Sequence, residues 1–156
     1  MRRLMILTVM AVIVLAWAPA TLAQPGGCRQ EMLRGVWCAT CNGFTQLSNV
    51  DPTAPKGTLV PFLGILREVI NADGKGSGKG VFNIAGTPFP VEMETKFTVS
   101  SDCTGEKTYT LKALGLSLPG KATVVYMPHG LEFRIVILVP GDVVSCEYKK
   151  MSHSVD

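Results

Sequence analysis

The sequence predicts an all-β domain: a single antiparallel eight-stranded up-and-down β-barrel, preceded by a signal peptide. Three observations predict it. Short apolar or alternating runs recur between clusters of Gly, Asp, Asn and Pro, which is the pattern of an antiparallel meander. Eight such runs begin near Gly35, Thr58, Lys79, Val91, Lys107, Lys121, Leu131 and Val143. No long amphipathic helix interrupts them. An all-β domain of this size must stack two sheets or close on itself. Closure removes exposed edges, and the even spacing favours it over a Greek-key sandwich.

Residues 1–23 read as a secretory signal peptide. Arg2 and Arg3 precede an apolar run from Leu4 to Ala18, and Pro19-Ala20-Thr21-Leu22-Ala23 supplies small residues for cleavage after Ala23. The run is shorter than the roughly 20 residues that cross a bilayer, and no lipobox precedes Cys28. The expectation is a secreted or periplasmic protein with no membrane association after cleavage. Of 156 residues, 133 then remain, enough for one domain with a real core. The leader carries two of the 15 basic residues and none of the 12 acidic ones, so the remaining chain is close to neutral. No basic patch interleaved with aromatics is present, which argues against nucleic acid as a partner.

Residues 24–34 read as a polar N-terminal arm, with a helical turn at Gln30-Glu31-Met32-Leu33. Residues 35–148 carry the barrel, and residues 149–156 a polar, frayed tail. The first strand, Gly35 to Cys41, contains Trp37. Asn42-Gly43, Asp51-Pro52 and Pro55-Lys56-Gly57 mark a loop from Asn42 to Gly57. The second strand, Thr58 to Asn71, is apolar on both faces. Phe62, Leu66 and Glu68 share one face; Leu63, Ile65 and Arg67 share the other. Such a strand is expected to line the interior on one side and to be covered on the other by the arm, a loop or a partner subunit, so a homo-oligomer is one expected partner state.

A Gly-rich turn over residues 74–80 leads into the third strand. The fourth, Val91 to Val99, has the cleanest alternation: Val91, Met93, Thr95, Phe97 and Val99 face inward, and Glu92, Glu94, Lys96 and Thr98 face water. Lys107 to Ala113 is the fifth strand, and Ser117-Leu118-Pro119-Gly120 turns the chain. Lys121 to Met127 and Leu131 to Val139 form a hairpin through Pro128-His129-Gly130. Pro140-Gly141-Asp142 turns into the last strand, Val143 to Tyr148.

Five cysteines, Cys28, Cys38, Cys41, Cys103 and Cys146, sit in an exported chain, where disulfides form. Five is odd, so at least one is free or pairs with another chain. The C-x-x-C at Cys38 and Cys41 reads as a strand end. Residues three apart in a strand lie about 10 Å apart, beyond the roughly 7 Å Cα limit of a disulfide, and the two point to opposite faces. Redox activity is therefore not expected, and zinc lacks a second ligand pair. In a closed barrel the last strand lies beside the first. Cys146 is expected to be bridged, with Cys38, Cys41 and Cys103 as rival partners.

Gly74 to Gly80 fits neither G-x-x-x-x-G-K-[ST] nor G-x-G-x-x-G, and no helix follows, so no phosphate loop is read. Two charges are weak catalytic candidates. Glu68 becomes a buried acid or base if the Phe62 face points inward; Arg67 is the lumen charge in the opposite register. The expectation is that either sits at the rim in water, because buried charges are rare unless paired. His129 lies in a turn and His153 in the tail, both in solvent. Trp37, Phe62, Leu66, Met93, Phe97, Tyr126 and Phe133 are core residues that become ligand-lining if a cavity exists. No metal site and no cofactor is read.

Two segments carry a resemblance. Asp73-Gly74-x-Gly76-x-x-x-Gly80 precedes Phe97-Thr98-Val99-Ser100-Ser101-Asp102-Cys103-Thr104-Gly105. The combination resembles small exported bacterial proteins of the allene oxide cyclase barrel-like group, within the calycin-like barrels, in which a D-G-x-G turn precedes G-x-[YF]-x-V-x-x-D-C-T-G. Glu106 stands where Thr is usual, and Cys38 and Cys41 lie outside the pattern. The resemblance implies a barrel with a lumen, and relatives that include cyclases acting on apolar substrates. No cyclase catalytic residue maps onto a matching position.

The leading expectation is a small exported barrel holding a small apolar ligand in its lumen. The alternative is a cyclase or isomerase of the allene oxide cyclase-like kind, shaping an apolar substrate. A third is a filled structural barrel acting through its surface. A lumen of roughly 300 Å³ or more is the expected mark of the first two, and an inward polar group is the further mark of the cyclase.

Overall fold

The computed structural model describes residues 27–153. The signal peptide read over residues 1–23, the start of the arm and the last three residues of the tail lie outside the described residues. Eight strands close into an antiparallel up-and-down barrel, each paired with its sequence neighbours and the last with the first. They are β1 (Gly35–Gln46), β2 (Leu59–Ile70), β3 (Lys75–Ile84), β4 (Thr87–Phe97), β5 (Thr104–Ala113), β6 (Leu116–Tyr126), β7 (Glu132–Ile137) and β8 (Val143–Ser152). No helix among the described residues is long and apolar enough to cross a membrane.

Several boundaries differ from the sequence reading, each for a physical reason. Asn42-Gly43 is not a turn. β1 continues to Gln46, paired with β2 over its whole length and with β8 as far as Phe44. Gly43 keeps φ near 147° within the strand, and a Cβ there would run into the Val143 carbonyl. The tail residues Lys149 to Ser152 are not frayed, because Lys149 and Lys150 pair with Cys38 and Trp37 of β1. The turn between β5 and β6 is Leu114-Gly115, with φ of 53° and 76°, while Ser117 to Gly120 lie within β6. A two-residue hairpin turn with both φ values positive is usually signalled by Asn-Gly or Asp-Gly; here leucine occupies the first position.

The Gly-rich segment is mostly strand as well. Only Asn71 to Gly74 turn, and β3 starts at Lys75. Gly80 is in β3 because β2 crowds it: an added Cβ would overlap the Ile65 carbonyl oxygen and sit 2.9 Å from the Leu66 Cα. Gly80→Ala is therefore expected to lower stability by about 1–3 kcal/mol through overpacking of backbone against backbone. Urea unfolding measures this, and a loss under about 0.5 kcal/mol would mean that β2 and β3 separate freely.

The inward faces follow the alternation. On β4, Val91, Met93, Thr95 and Phe97 are buried, while Glu92, Glu94 and Lys96 are exposed. Glu92 and Glu94 pair with Lys79 and Lys112 at 2.7 and 2.6 Å on the wet face. β2 is apolar on its outer face too, but among the described residues neither the arm nor the 47–58 loop covers that face: Leu63 and Ile65 are 59% and 63% exposed.

One end of the barrel is packed solid. The arm folds beneath it as a 3₁₀ turn, Gln30–Leu33, with Leu33 buried. Trp37 Nε1 donates to the Leu33 carbonyl at 2.7 Å, Lys150 Nζ to that of Met32 at 2.6 Å, and Gln30 Nε2 to that of Phe97 at 3.1 Å. A disulfide joins Cys28 of the arm to Cys103 of the β4–β5 turn. Above this cap, Phe133 stacks on Tyr148 with centroids 4.3 Å apart and meets Trp37, Phe97 and Tyr126 at 4.7, 5.5 and 5.5 Å. Such pairs add about 0.5–1.5 kcal/mol each beyond their buried area.

Candidate functional site

The other half of the barrel is hollow. A cavity of about 230 Å³ opens toward the end that carries the β1–β2 and β7–β8 loops. Its walls are apolar, with Phe62, Leu66, Phe82, Met93 and Ile135 among them. This is smaller than the roughly 300 Å³ typical of drug-sized ligand pockets. At the mouth, Asp142 Oδ1 accepts from Thr45 Oγ1 at 2.7 Å, Asn49 Nδ2 at 2.9 Å and the Gln46 amide at 3.1 Å. These bonds tie the start of the β1–β2 loop to the turn before β8.

Lys107 and Tyr148 also line the cavity and stand at its inner end against the aromatic plug. Strand alternation places them there. Lys107 shares the inward face of β5 with Tyr109, Leu111 and Ala113, and Tyr148 shares that of β8 with Val144 and Cys146. Lys107 Nζ donates to Tyr148 Oη at 2.6 Å and to Glu68 Oε2 at 2.8 Å. Tyr148 Oη donates to the same Glu68 oxygen at 3.1 Å, and Thr95 Oγ1 donates to Glu68 Oε1. The rings of Phe97 and Tyr148 each lie 4.9 Å from Lys107 Nζ. Lys107 and Glu68 are 1% and 0% exposed.

The expectation that the lumen-facing charge of strand 2 sits at the rim in water is corrected here for Glu68. Glu68 is buried because it is paired: one cation and two hydroxyls satisfy its carboxylate. Arg67 points outward and is exposed. Of the seven expected lining residues, Phe62, Leu66 and Met93 line the cavity. Trp37, Phe97, Tyr126 and Phe133 instead fill the opposite half, where the arm closes the barrel over them. Sequence reasoning missed Lys107, Tyr148 and Thr95. The signal was present, since each lies on the apolar side of an alternating strand.

Cys146 bridges Cys41, its register partner across the β1–β8 seam, and both face the cavity. Cys38, counted among the disulfide candidates, is a half-buried free thiol. It lies on the outer face of β1, away from Cys41, as the strand period requires. Cys103 pairs with Cys28, a pairing the sequence reading did not weigh. His129 and His153 are exposed. Among the described residues, no three His, Cys, Asp or Glu side chains converge as a metal site.

The electrostatics follow from burial. Desolvation holds Lys107 below the usual lysine value, opposed by the Glu68 carboxylate. Desolvation, then the charge of Glu68, pushes Tyr148 well up. Desolvation pushes Tyr126 up as well, and with the Asp142 charge takes Tyr109 to about 12. These are the chain's 3 tyrosines.

A phenol whose folded value exceeds its unfolded value of about 10 keeps its proton longer when folded, so stability falls as pH rises above about 10. Lys107 acts oppositely. Its contribution grows with pH up to about 10.4, where the unfolded lysine loses its own proton, and is flat above that. The expected result is a native protein with almost no phenolate absorbance near pH 10.5, and 3 phenolates appearing together at alkaline unfolding. A gradual titration centred near pH 10 would contradict the burial of these rings.

Comparison with protein-family models, with curated proteins and with solved structures returned no match.

Proposed function

We propose that this chain is an exported barrel that holds a small, neutral, largely apolar ligand in its lumen. The observation that carries the reading is the hollow half of the barrel, about 230 Å³ of apolar space ending in one amine and one phenol. An apolar cavity of about 150 Å³ holds benzene, so by proportion this one takes a molecule of about nine non-hydrogen atoms. Lys107 and Glu68 cancel each other's charge at the floor. A ligand bringing its own charge would leave that charge buried and unpaired, so a neutral ligand is favoured. Two disulfides and a cleavable leader fit export into an oxidising compartment.

Native mass spectrometry of the protein from its own medium or periplasm, repeated after denaturation, tests this reading. The expected result is an added small neutral mass that is lost on denaturation, or a saturable thermal shift with neutral apolar molecules of that size. A protein that carries no such mass and shows no shift across such a series would overturn it.

A second reading, a cyclase or isomerase like the allene oxide cyclases, is favoured by one observation. The lumen ends in a buried acid–amine–phenol set within hydrogen-bond reach of one another, the arrangement that general acid–base chemistry uses. A filled barrel acting only through its surface fits less well, because only the arm-capped half is packed solid.

A further inference from the structure

The amine at the lumen floor is unlike the other lysines of the chain. Of the nine, Lys107 alone is buried; Lys150 is half-buried and the rest are exposed. A buried ion pair is weak evidence for stability, since well-packed apolar residues often serve as well. A lysine that lines an apolar cavity, with a carboxylate 2.8 Å and a phenol 2.6 Å from its nitrogen, is also the chemistry of carbonyl capture. Glu68 lies behind it, outside the cavity lining, where it can take up a proton without blocking a ligand.

Resting on the lumen reading, we propose that the cavity captures small apolar aldehydes covalently, as an imine on Lys107. The Lys107 ammonium passes a proton to Glu68. The amine lone pair then attacks the carbonyl carbon, a C–N bond forms, and the carbonyl π pair moves to oxygen. One proton shifts from nitrogen to that oxygen through the Tyr148 hydroxyl, giving a carbinolamine. Glu68 returns its proton, through the Tyr148 hydroxyl that lines the cavity, to the carbinolamine hydroxyl, which leaves as water while the nitrogen lone pair forms C=N. The sum is aldehyde plus ammonium to iminium plus water, with no oxidant or reductant. The iminium inherits the lysine's positive charge and its Glu68 counter-ion, so the charge balance of the floor is unchanged. The cavity volume suits an aldehyde of about six to eight carbons.

The test uses the processed, disulfide-intact protein with benzaldehyde and sodium borohydride, followed by peptide mapping. Benzyl alcohol, of nearly the same shape but unable to form an imine, is the competitor. The expected result is a saturable benzyl adduct at Lys107, exceeding that at any exposed lysine by about tenfold or more and suppressed by benzyl alcohol. Adduct levels at Lys107 no higher than at exposed lysines would overturn the proposal. Should benzyl alcohol bind saturably while Lys107 stays unlabelled, covalent capture fails and the lumen reading stands. If neither molecule binds, both fail.

Discussion

Replacing Lys107 with methionine is expected to cost about 3–5 kcal/mol of folding stability at neutral pH, and adding Glu68→Gln is expected to recover most of that loss. Lys107 Nζ lies 4.9 Å from the ring centroids of Phe97 and Tyr148, and methionine fills nearly the same space, so little of the cost comes from lost contact. It comes from Glu68, whose carboxylate keeps Thr95 and Tyr148 as donors but loses its only cation among the described residues. An uncompensated charge in this wall is what makes breaking a buried pair expensive. The Glu68→Gln amide is neutral and still accepts from Thr95 or Tyr148, so the double variant buries no charge. Denaturant unfolding of the wild type, both single variants and the double variant gives the cycle. Strictly additive losses would show that the amine and the carboxylate are not an ion pair in the folded protein.

That network also marks where legibility in the sequence ends. The closed barrel is readable because alternation and turn residues are local signals. Val91 to Phe97 gives inside and outside without reference to any other strand. Glu68 is different. Its burial depends on Lys107, Thr95 and Tyr148, which lie 39, 27 and 80 residues away, and no local pattern says that these side chains share one level of the barrel. An expectation of Glu68 in water follows correctly from an unpaired carboxylate and fails only because the pair is non-local.

The division of the lumen is hidden for a similar reason. Trp37, Phe97 and Phe133 look like Phe62 and Leu66 in sequence. They differ in lying at the end that the arm closes, and the Cys28–Cys103 bond that holds the arm there spans 75 residues. The strand limits of β3 show the opposite case, a loud local signal with a non-local cause. Its glycines read as a turn, yet at Gly80 the requirement is the closeness of the β2 backbone.

Replacing Cys41 and Cys146 together with alanine is expected to lower stability by about 2–5 kcal/mol, and by more than the equivalent change at Cys28 and Cys103. Loop length does not decide the order. The two bridges span 105 and 75 residues, and the logarithmic dependence of closure entropy separates them by only about 0.3 kcal/mol. The folded state decides it. A cross-link gives its full benefit only if the native structure holds its ends together without it. β1 and β8 remain paired from Val36 to Phe44 when the Cys41–Cys146 bond is absent, so the unfolded chain gains freedom and the native chain gains almost none. The arm has fewer anchors. Without Cys28–Cys103, its 3₁₀ turn is held by a few hydrogen bonds and by Leu33, so the native state loosens as well and part of the loss is offset. The alanine pair at the seam also leaves the space of two sulfurs open to the lumen, which adds a cavity cost. Urea unfolding of both double variants under non-reducing conditions measures the difference. A larger loss at Cys28–Cys103 would mean that the arm, rather than the β1–β8 seam, limits the stability of the closed barrel.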